Sequence, residues 1–186
     1  MNLVLAITGA TGAYAAEMLI ERSPWPVSLV VSKWGKEVCG HEGVSMDRIT
    51  DAAQNVFDDK DLAAAISSGS TPSVGMVVLP CSTNTLAKVA GGIADSLITR
   101  AAHCHLKEHR KLVLCVRESP WTLIDLDNAK KVASAGGIIM PLSPPFYMAQ
   151  GRQPETVTMS ELLGSFADRV LAVLGSPAGS NWESIS

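Results

Sequence analysis

The chain has 186 residues, of which 47% are hydrophobic and 18% charged, and its formal net charge is -3. This length suits one domain with a substantial hydrophobic core and is too short for two ordinary domains. The apolar content excludes a disordered chain, and a mildly acidic sequence without runs of Lys or Arg argues against nucleic-acid binding.

Short apolar runs alternate with helical patterns along the whole chain. Strands are predicted at residues 3–7, 27–31, 76–79, 112–116 and 138–140. Helices are predicted at residues 12–22, 62–67, 85–93, 97–109, 125–135 and 160–174. Residues 40–57 are polar and show no clear period, which predicts a surface segment with little regular structure.

This alternation predicts an α/β fold, a single Rossmann-like doubly wound parallel sheet with helices on both faces, because parallel neighbours need a crossover. One domain is predicted over residues 1–175, followed by a Ser/Gly/Pro-rich tail at 176–186 that contains Trp182. No apolar run reaches the roughly 20 residues that span a bilayer, and no signal peptide is predicted. The four cysteines, which lack a Cys-x-x-Cys spacing, are interpreted as small buried hydrophobes, reduced in a cytoplasmic protein.

Polar residues follow each predicted strand. Ligands bind open parallel sheets outside the carboxyl ends of the strands, so these residues are candidates for one common site. Hydroxyl groups, small residues and one Arg–Glu pair make up the set, which is typical of a phosphate-bearing ligand: Thr8–Gly12, Ser32–Lys33, Pro80–Thr85, Arg117–Pro120 and Pro141–Tyr147.

The first of these loops, residues 9–13, opens a predicted helix. Its small residues allow a phosphate to approach backbone N–H groups at the positive helix end, although a strand–glycine–helix junction also needs glycine for steric reasons alone. Ala15 stands at the third glycine position of the dinucleotide fingerprint, and Ser32-Lys33 stands where an NAD site has an acidic residue. The loop therefore disfavours NAD and fits a mononucleotide phosphate better.

The loop after the third predicted strand carries four hydrogen-bonding side chains in succession. Helix capping accounts for one of them, and the others are expected to face a ligand. The four residues are Ser82, Thr83, Asn84 and Thr85.

The charged residues on the predicted helix 97–109 and those after the predicted strand 112–116 have two interpretations each. Arg100 and Lys107 are seven residues apart and project within ~20° of each other, so they either hold a second phosphate or form a solvated flank. Arg117 and Glu118 follow a buried strand, where charges are costly unless paired or used. They either form a structural salt bridge or act on the ligand, with Glu118 as an acid/base or as an orienting group. The helix histidines lack a completing set of Cys, Asp or Glu, so no metal site is predicted.

In combination, these motifs resemble the UbiX family of flavin prenyltransferases over residues 2–32 and 66–147. The agreement of several motifs in one order is far more specific than any single one. The matching segments are Gly9–Ala13, Ser32-Lys33, Ser67–Ser70, Gly75–Thr83, Thr85–Ala87, Arg100–Ala102, Leu106–Glu108, Leu112–Leu114, Arg117-Glu118 with Pro120, and Pro144 with Phe146-Tyr147.

The resemblance implies a transferase that joins the dimethylallyl group of dimethylallyl phosphate to reduced FMN without a metal. It also implies that the prenylated FMN serves a UbiD-type decarboxylase, and that the protein forms a homo-oligomer, a trimer-based dodecamer, with the flavin site at subunit contacts. Whether the donor is a monophosphate or a diphosphate, which decarboxylase takes the product, and the number of subunits stay open.

Site residues follow from the same resemblance. It implies catalytic roles for Arg100, Lys107 and Glu118, with the two fixed cations stabilising the leaving phosphate. Either Glu118 or the released phosphate takes the proton. Tyr147 and Arg169 are implied in substrate binding, with Arg152 as a competitor of Arg169. The residues implied in FMN binding are Gly9, Ala10, Thr11, Ser32, Ser82, Thr83, Asn84, Thr85 and Arg117.

Two departures and two alternatives accompany this interpretation. The family often has Ser at the position of Thr11 and Asp at that of His103. The first alternative is an FMN-dependent cysteine decarboxylase or a related flavin oxidoreductase of the same superfamily. The loop 80–85 resembles the Pro-Ala-Ser-Ala-Asn-Thr motif of the cysteine decarboxylases, but residues 67–73 lack the His that those enzymes need there. A non-catalytic flavin-binding subunit is the other alternative, disfavoured because the cations of the phosphate site are present.

Overall fold

The computed structural model describes residues 1–144, 146–149 and 151–176. Six parallel strands form one sheet in the order β3-β2-β1-β4-β5-β6, so the chain starts at the centre and winds outward in both directions. The predicted fold class is confirmed. The strands are β1 (Asn2–Ile7), β2 (Val27–Val31), β3 (Asn55–Asp58), β4 (Ser73–Cys81), β5 (Leu112–Val116) and β6 (Ile138–Ile139).

Seven α-helices in the described part of the chain connect and follow these strands. They are α1 (Ala13–Arg22), α2 (Lys33–His41), α3 (Met46–Ala52), α4 (Thr83–Ala90), α5 (Leu97–Lys107), α6 (Leu123–Ser134) and α7 (Met159–Leu174). Short 3₁₀ turns lie at Ala65–Ser67, Phe146–Ala149 and Pro154–Thr156.

Two hydrophobic cores lie on the two faces of the sheet. Successive side chains of a strand point to opposite faces, so Leu3, Leu5 and Ile7 of β1 pack with α1 and α7. Val4 and Ala6 of the same strand pack with α4 and α5 on the other side. Because both faces are covered, β1, β2 and β5 are apolar almost throughout, which explains the continuous apolar runs in the sequence.

The expectation of little regular structure over residues 40–57 is wrong. This segment contains the end of α2, all of α3 and most of β3. β3 is an edge strand that pairs only with β2 among the described strands, and most of its side chains are exposed, so it lacks the apolar pattern of the inner strands. α3 buries one large apolar residue, Ile49, which leaves too weak a period to recognise.

The ends of several elements differ from the predicted ends. β4 begins at Ser73 and is three residues longer at its start than predicted, and the helix expected at 62–67 is only the 3₁₀ turn Ala65–Ser67. α7 ends at Leu174, and Gly175 terminates it in the left-handed conformation. Trp182 and the rest of the tail after Ser176 lie outside the described residues, so the boundary at 175 stays a prediction.

All four cysteines are buried and unpaired, as the sequence indicated. Burial is the main cause that raises the pKa of the thiols of Cys39, Cys81 and Cys115, which keeps them protonated and unreactive. Among the described helices, none combines the length and apolar composition needed to cross a bilayer.

His105 is a buried titratable group that makes stability depend on pH. Burial, reinforced by the charge of Arg110, lowers its pKa below the ordinary value of 6.5. The unfolded chain therefore binds more protons between the two pKa values, and the free energy of unfolding falls as pH drops below about 6.5.

We expect His105→Gln to reduce this acid-side slope, by at most about 1.4 kcal/mol per pH unit. Urea unfolding of the wild type and the variant between pH 5 and pH 8 measures it. His103→Gln, on the exposed side of α5, is the matched control and should leave the slope unchanged. Parallel curves for His105→Gln and wild type would contradict the assignment.

Candidate functional site

The buried hydroxyl of Thr8 joins the carboxyl ends of β1 and β4. Its Oγ1 donates to the carbonyl of Pro80 at 2.9 Å and accepts from the backbone N–H of Ser82 at 2.9 Å. Thr8 is only 2% exposed, so both bonds are shielded from water. The loop after β1 and the loop after β4 are thereby held side by side.

Two adjoining cavities open at this edge of the sheet. The larger, of about 450 Å³, lies between the starts of α2, α4 and α5 and includes Gly9, Ser32 and all four residues 82–85 in its lining. The smaller, of about 250 Å³, is lined by Gly9, Ala10, Thr11, Val38, Ser82, Thr83, Arg117 and Glu118. Because Gly9, Ser82 and Thr83 line both, we treat them as one site, the carboxyl-edge slot. The structure thus brings together every residue predicted to bind FMN.

The four hydrogen-bonding residues at the start of α4 divide two and two, whereas the sequence predicted one capping residue and three that face a ligand. Ser82 is the N-cap, and its Oγ accepts from the N–H of Thr85 at 3.2 Å and contacts the Thr85 hydroxyl at 3.0 Å. In the described part of the chain, the side chains of Thr83 and Asn84 make no hydrogen bond. They are therefore available to a ligand in the slot.

Positive potential collects at the larger cavity. The starts of α2 and α4 both face it, and helix N-termini favour anions. Lys33 and Lys88 add charge, although Lys88 pairs with Asp95 at 2.8 Å and lowers the pKa of that carboxyl. Lys33 lies 5.3 Å from the ring of Trp34 and forms no ion pair with the described residues. This end of the slot suits a phosphate.

The start of α1 is already occupied by a carboxylate. Glu42 accepts from the N–H groups of Gly12 and Ala13 through its two oxygens, at 2.7 and 2.8 Å. The expectation that a phosphate lies on these N–H groups is therefore not supported. Gly9 packs against α2, where an added Cβ would lie 2.6 Å from the Trp34 Cβ, and it lines both cavities of the slot.

Arg117 and Glu118 line the smaller cavity and form no salt bridge with each other. Arg117 Nε donates to Thr11 Oγ1 at 2.6 Å, and Glu118 Oε1 accepts from the N–H of Ser119 at 3.0 Å. Both side chains are exposed, and neither forms an ion pair within the described ranges. The interpretation of these two residues as members of a structural salt bridge is therefore wrong within the described residues. The alternative, that they contact the ligand, stays open.

Arg100 and Lys107 project from one side of α5, as predicted, but that side does not line the carboxyl-edge slot. Arg100 Nε donates to the carbonyl of Ser67 at 3.1 Å. Lys107 lies against Gly69 and pairs with Glu108, whose pKa this pair lowers. The expectation of a cationic pocket beside the slot is not met within a single chain, because the two cations face residues 67–69.

The remaining substrate candidates lie near α7. Tyr147 belongs to the turn Phe146–Ala149, which packs on α7, and Arg169 is an exposed residue of that helix. Arg152 pairs with Glu161 at 2.8 Å, and this pair, with bonds from Thr158, lowers the pKa of Glu161 to about 2. Arg152 is thus committed to the start of α7, which favours Arg169 as the substrate candidate.

Sequence reasoning missed three residues at the slot: Trp34, which lines it, Glu42, which caps its loop, and Asp59, which lines it and caps α5. Asp59 accepts from the N–H of Ile98 at 3.0 Å through its carboxylate. All three belong to, or directly follow, α2 and β3. Because neither element was predicted, their side chains had no assigned place in the fold.

We expect Glu42→Ala to lower the free energy of unfolding by about 1 kcal/mol, because two N–H groups at the start of α1 lose their acceptor. Chemical denaturation measures the loss. Glu37→Ala is the control, because Glu37 is an exposed residue of α2 whose side chain makes no hydrogen bond to any described residue. Equal stabilities of the two variants would show that the Glu42 contacts contribute nothing.

Comparison with known proteins identifies the family. Residues 1–165 match the family model described as Flavoprotein. The flavin prenyltransferase UbiX of Deinococcus radiodurans is 45% identical over 178 residues, covering 94% of this chain and 88% of that protein.

Solved structures agree. AnUbiX in complex with FMN and dimethylallyl pyrophosphate superposes with a TM-score of 0.89 at 35% identity, covering 97% of this chain and 96% of that one. A dodecameric FMN-dependent UbiX-like decarboxylase from Escherichia coli O157:H7 gives 0.88 at 36% identity, covering 98% and 99%. This chain belongs to the UbiX family of flavin prenyltransferases, among the flavoproteins.

Proposed function

We propose that this protein is a flavin prenyltransferase that joins the dimethylallyl group of dimethylallyl phosphate to reduced FMN. The observation that carries the proposal is the carboxyl-edge slot, which gathers all nine predicted FMN-binding residues at the edge where parallel sheets bind ligands. Membership of the UbiX family supports the same conclusion.

The slot fits FMN in its chemistry. Ser32 and Ser82, at the starts of α2 and α4, would hold the phosphate with Lys33 nearby. Thr83 and Asn84 offer unused hydrogen-bonding groups, and Gly9 lets the loop pack closely against Trp34 of α2 at the rim of the slot. Thr11 and Arg117 would hold the opposite end, beside Glu118.

Reduced FMN supplies the electron-rich atoms that accept the five-carbon group. The bond that breaks joins the allylic carbon to the phosphate oxygen, and its electron pair leaves with the phosphate. Fixed cations stabilise that developing charge, and this is the role we assign to Arg100 and Lys107, with Tyr147 and Arg169 binding the phosphate. Glu118, or the released phosphate, takes the proton that the new carbon bond displaces.

A second copy of the chain is needed to complete this site. Arg100 and Lys107 face residues 67–69, away from the slot of their own chain. We propose that a neighbouring subunit presents this face to the slot in a trimer-based dodecamer, and the dodecameric state of the Escherichia coli relative supports the number of subunits. The proposal also places the enzyme in the cytoplasm and makes a UbiD-type decarboxylase the recipient of its prenylated FMN.

The cysteine decarboxylase alternative gains no support from the site. Residues 67–73 carry no histidine, and the histidine that contacts this segment, His105, is buried. Its Nδ1 bonds the carbonyl of Ala101 at 2.7 Å and its Nε2 the hydroxyl of Ser73 at 2.8 Å. Neither nitrogen is left to act on a substrate.

Purified protein incubated with reduced FMN and dimethylallyl monophosphate should yield a flavin heavier by one C5H8 unit, measured by mass spectrometry. A parallel reaction with the diphosphate identifies the donor. Unmodified FMN from both donors, together with loss of CO₂ from a peptidyl-cysteine substrate, would overturn the proposal in favour of the decarboxylase.

Two variants test the shared site. Lys107→Ala should retain FMN binding and lose prenylation, and Arg117→Ala should lose FMN affinity. Lys130→Ala, on the surface of α6, is the control.

Co-assembly of the two inactive variants should restore about a quarter of wild-type activity, because a random mixture pairs an intact slot with an intact neighbour at that frequency. No recovery in co-assembled oligomers would place both residues in one chain's site.

A further inference from the structure

A second cavity lies at the amino-terminal edge of the sheet, opposite the carboxyl-edge slot. Its volume is about 370 Å³, within the range of small-molecule sites. The first residues of β1, β2 and β3, residues 65–73 and the end of α5 enclose it. We call it the amino-edge cavity, lined by Met1, Asn2, Val4, Ser28, Asn55, Phe57, Ala65, Ile66, Ser68, Thr71, Pro72, Ser73, Cys104, His105 and Arg110.

The lining is divided into an apolar wall and a polar rim. Val4, Phe57 and Ile66 belong to or pack against the buried core on that face of the sheet, so the wall is fixed by the fold. Across the strand starts, the hydroxyl of Ser28 accepts from the amides of Asn2 at 3.2 Å and Asn55 at 3.4 Å. A ligand with an apolar body and a polar end matches this division.

Arg110 is the single charged side chain in the lining, and the described residues contribute no carboxylate to it. Its terminal nitrogens donate to the carbonyls of Thr71, at 2.6 Å, and Gly69, which fixes the guanidinium. Three of its five N–H donors remain. The closest acidic influence, Glu108, pairs with Lys107 instead, so the charge of Arg110 is not neutralised by an ion pair.

The histidine in the lining adds no second charge. Nδ1 of His105 lies 2.7 Å from the carbonyl of Ala101, which makes that nitrogen the donor. Burial lowers the pKa of His105, which favours the neutral ring at neutral pH. In that neutral tautomer Nε2 accepts from the Ser73 hydroxyl at 2.8 Å, so both nitrogens are bonded. Among the described side chains of the lining, an anion would meet one charged group, Arg110, and neutral hydrogen-bonding groups around it.

We propose that the amino-edge cavity is a second ligand site, which binds a small monocarboxylate with an apolar or aromatic body. The carboxylate pairs with Arg110 and the body packs on Val4, Phe57 and Ile66. The amino-edge cavity lies at the opposite edge of the sheet from the slot of its own chain, although its lining includes Ser68 of the segment 67–69 that we propose faces a neighbour's slot. Ligand binding is therefore measured directly, without reference to prenylation.

Benzoate is the probe, and benzyl alcohol of nearly the same shape is its uncharged match. Both are titrated into FMN-saturated protein by NMR or calorimetry, so that the carboxyl-edge slot is filled. Benzoate should bind saturably and about 10-fold more tightly than benzyl alcohol, because its carboxylate forms charged hydrogen bonds with Arg110. Absence of saturable benzoate binding would overturn the proposal.

Variants locate the binding. Arg110→Gln should reduce the affinity for benzoate to that for benzyl alcohol and leave the alcohol unaffected. Because Arg110 also holds residues 69–71, a second test uses Ala65→Trp, an exposed substitution at the mouth of the cavity, with Ala63→Trp as the exposed control outside it. Ala65→Trp should abolish benzoate binding and Ala63→Trp should preserve it. Equal binding by these two variants would exclude the amino-edge cavity.

Discussion

The Thr8 hydroxyl sets the geometry on which the site depends. It bridges the carbonyl of Pro80 and the N–H of Ser82, so the ends of β1 and β4 cannot separate without exposing buried polar groups. β1 and β4 are the two strands at which the winding of the sheet changes direction, where open parallel sheets form their ligand crevice. One buried hydroxyl thus places the glycine loop and the start of α4 against the same space.

Charge is distributed along that edge by helix ends as much as by side chains. The start of α1, which in many nucleotide-binding folds receives phosphate, is neutralised by Glu42. The starts of α2 and α4 face the larger cavity and keep their potential, reinforced by Lys33. An anionic ligand is therefore directed to one end of the slot, and Thr11 with Arg117 marks the other.

The sequence was sufficient where burial on both faces leaves a continuous apolar run, as in β1, β2 and β5, and the residues after those runs proved to be the slot. It was insufficient for α2, α3 and β3, whose largely exposed side chains leave no clear apolar pattern, and hence for Glu42 after α2 and Asp59 after β3. It was also insufficient for Arg100 and Lys107. Their spacing correctly predicted a shared face of α5, but spacing within a helix carries no information about which element that face meets.

The central claim is that FMN occupies the carboxyl-edge slot with its phosphate between the starts of α2 and α4. A crystal structure of the protein with FMN tests it most directly. The phosphate should lie within hydrogen-bond distance of Ser32 and Ser82, with Glu42 still bonded to Gly12 and Ala13. A phosphate found on the N–H groups of Gly12 and Ala13, with Glu42 displaced, would contradict it.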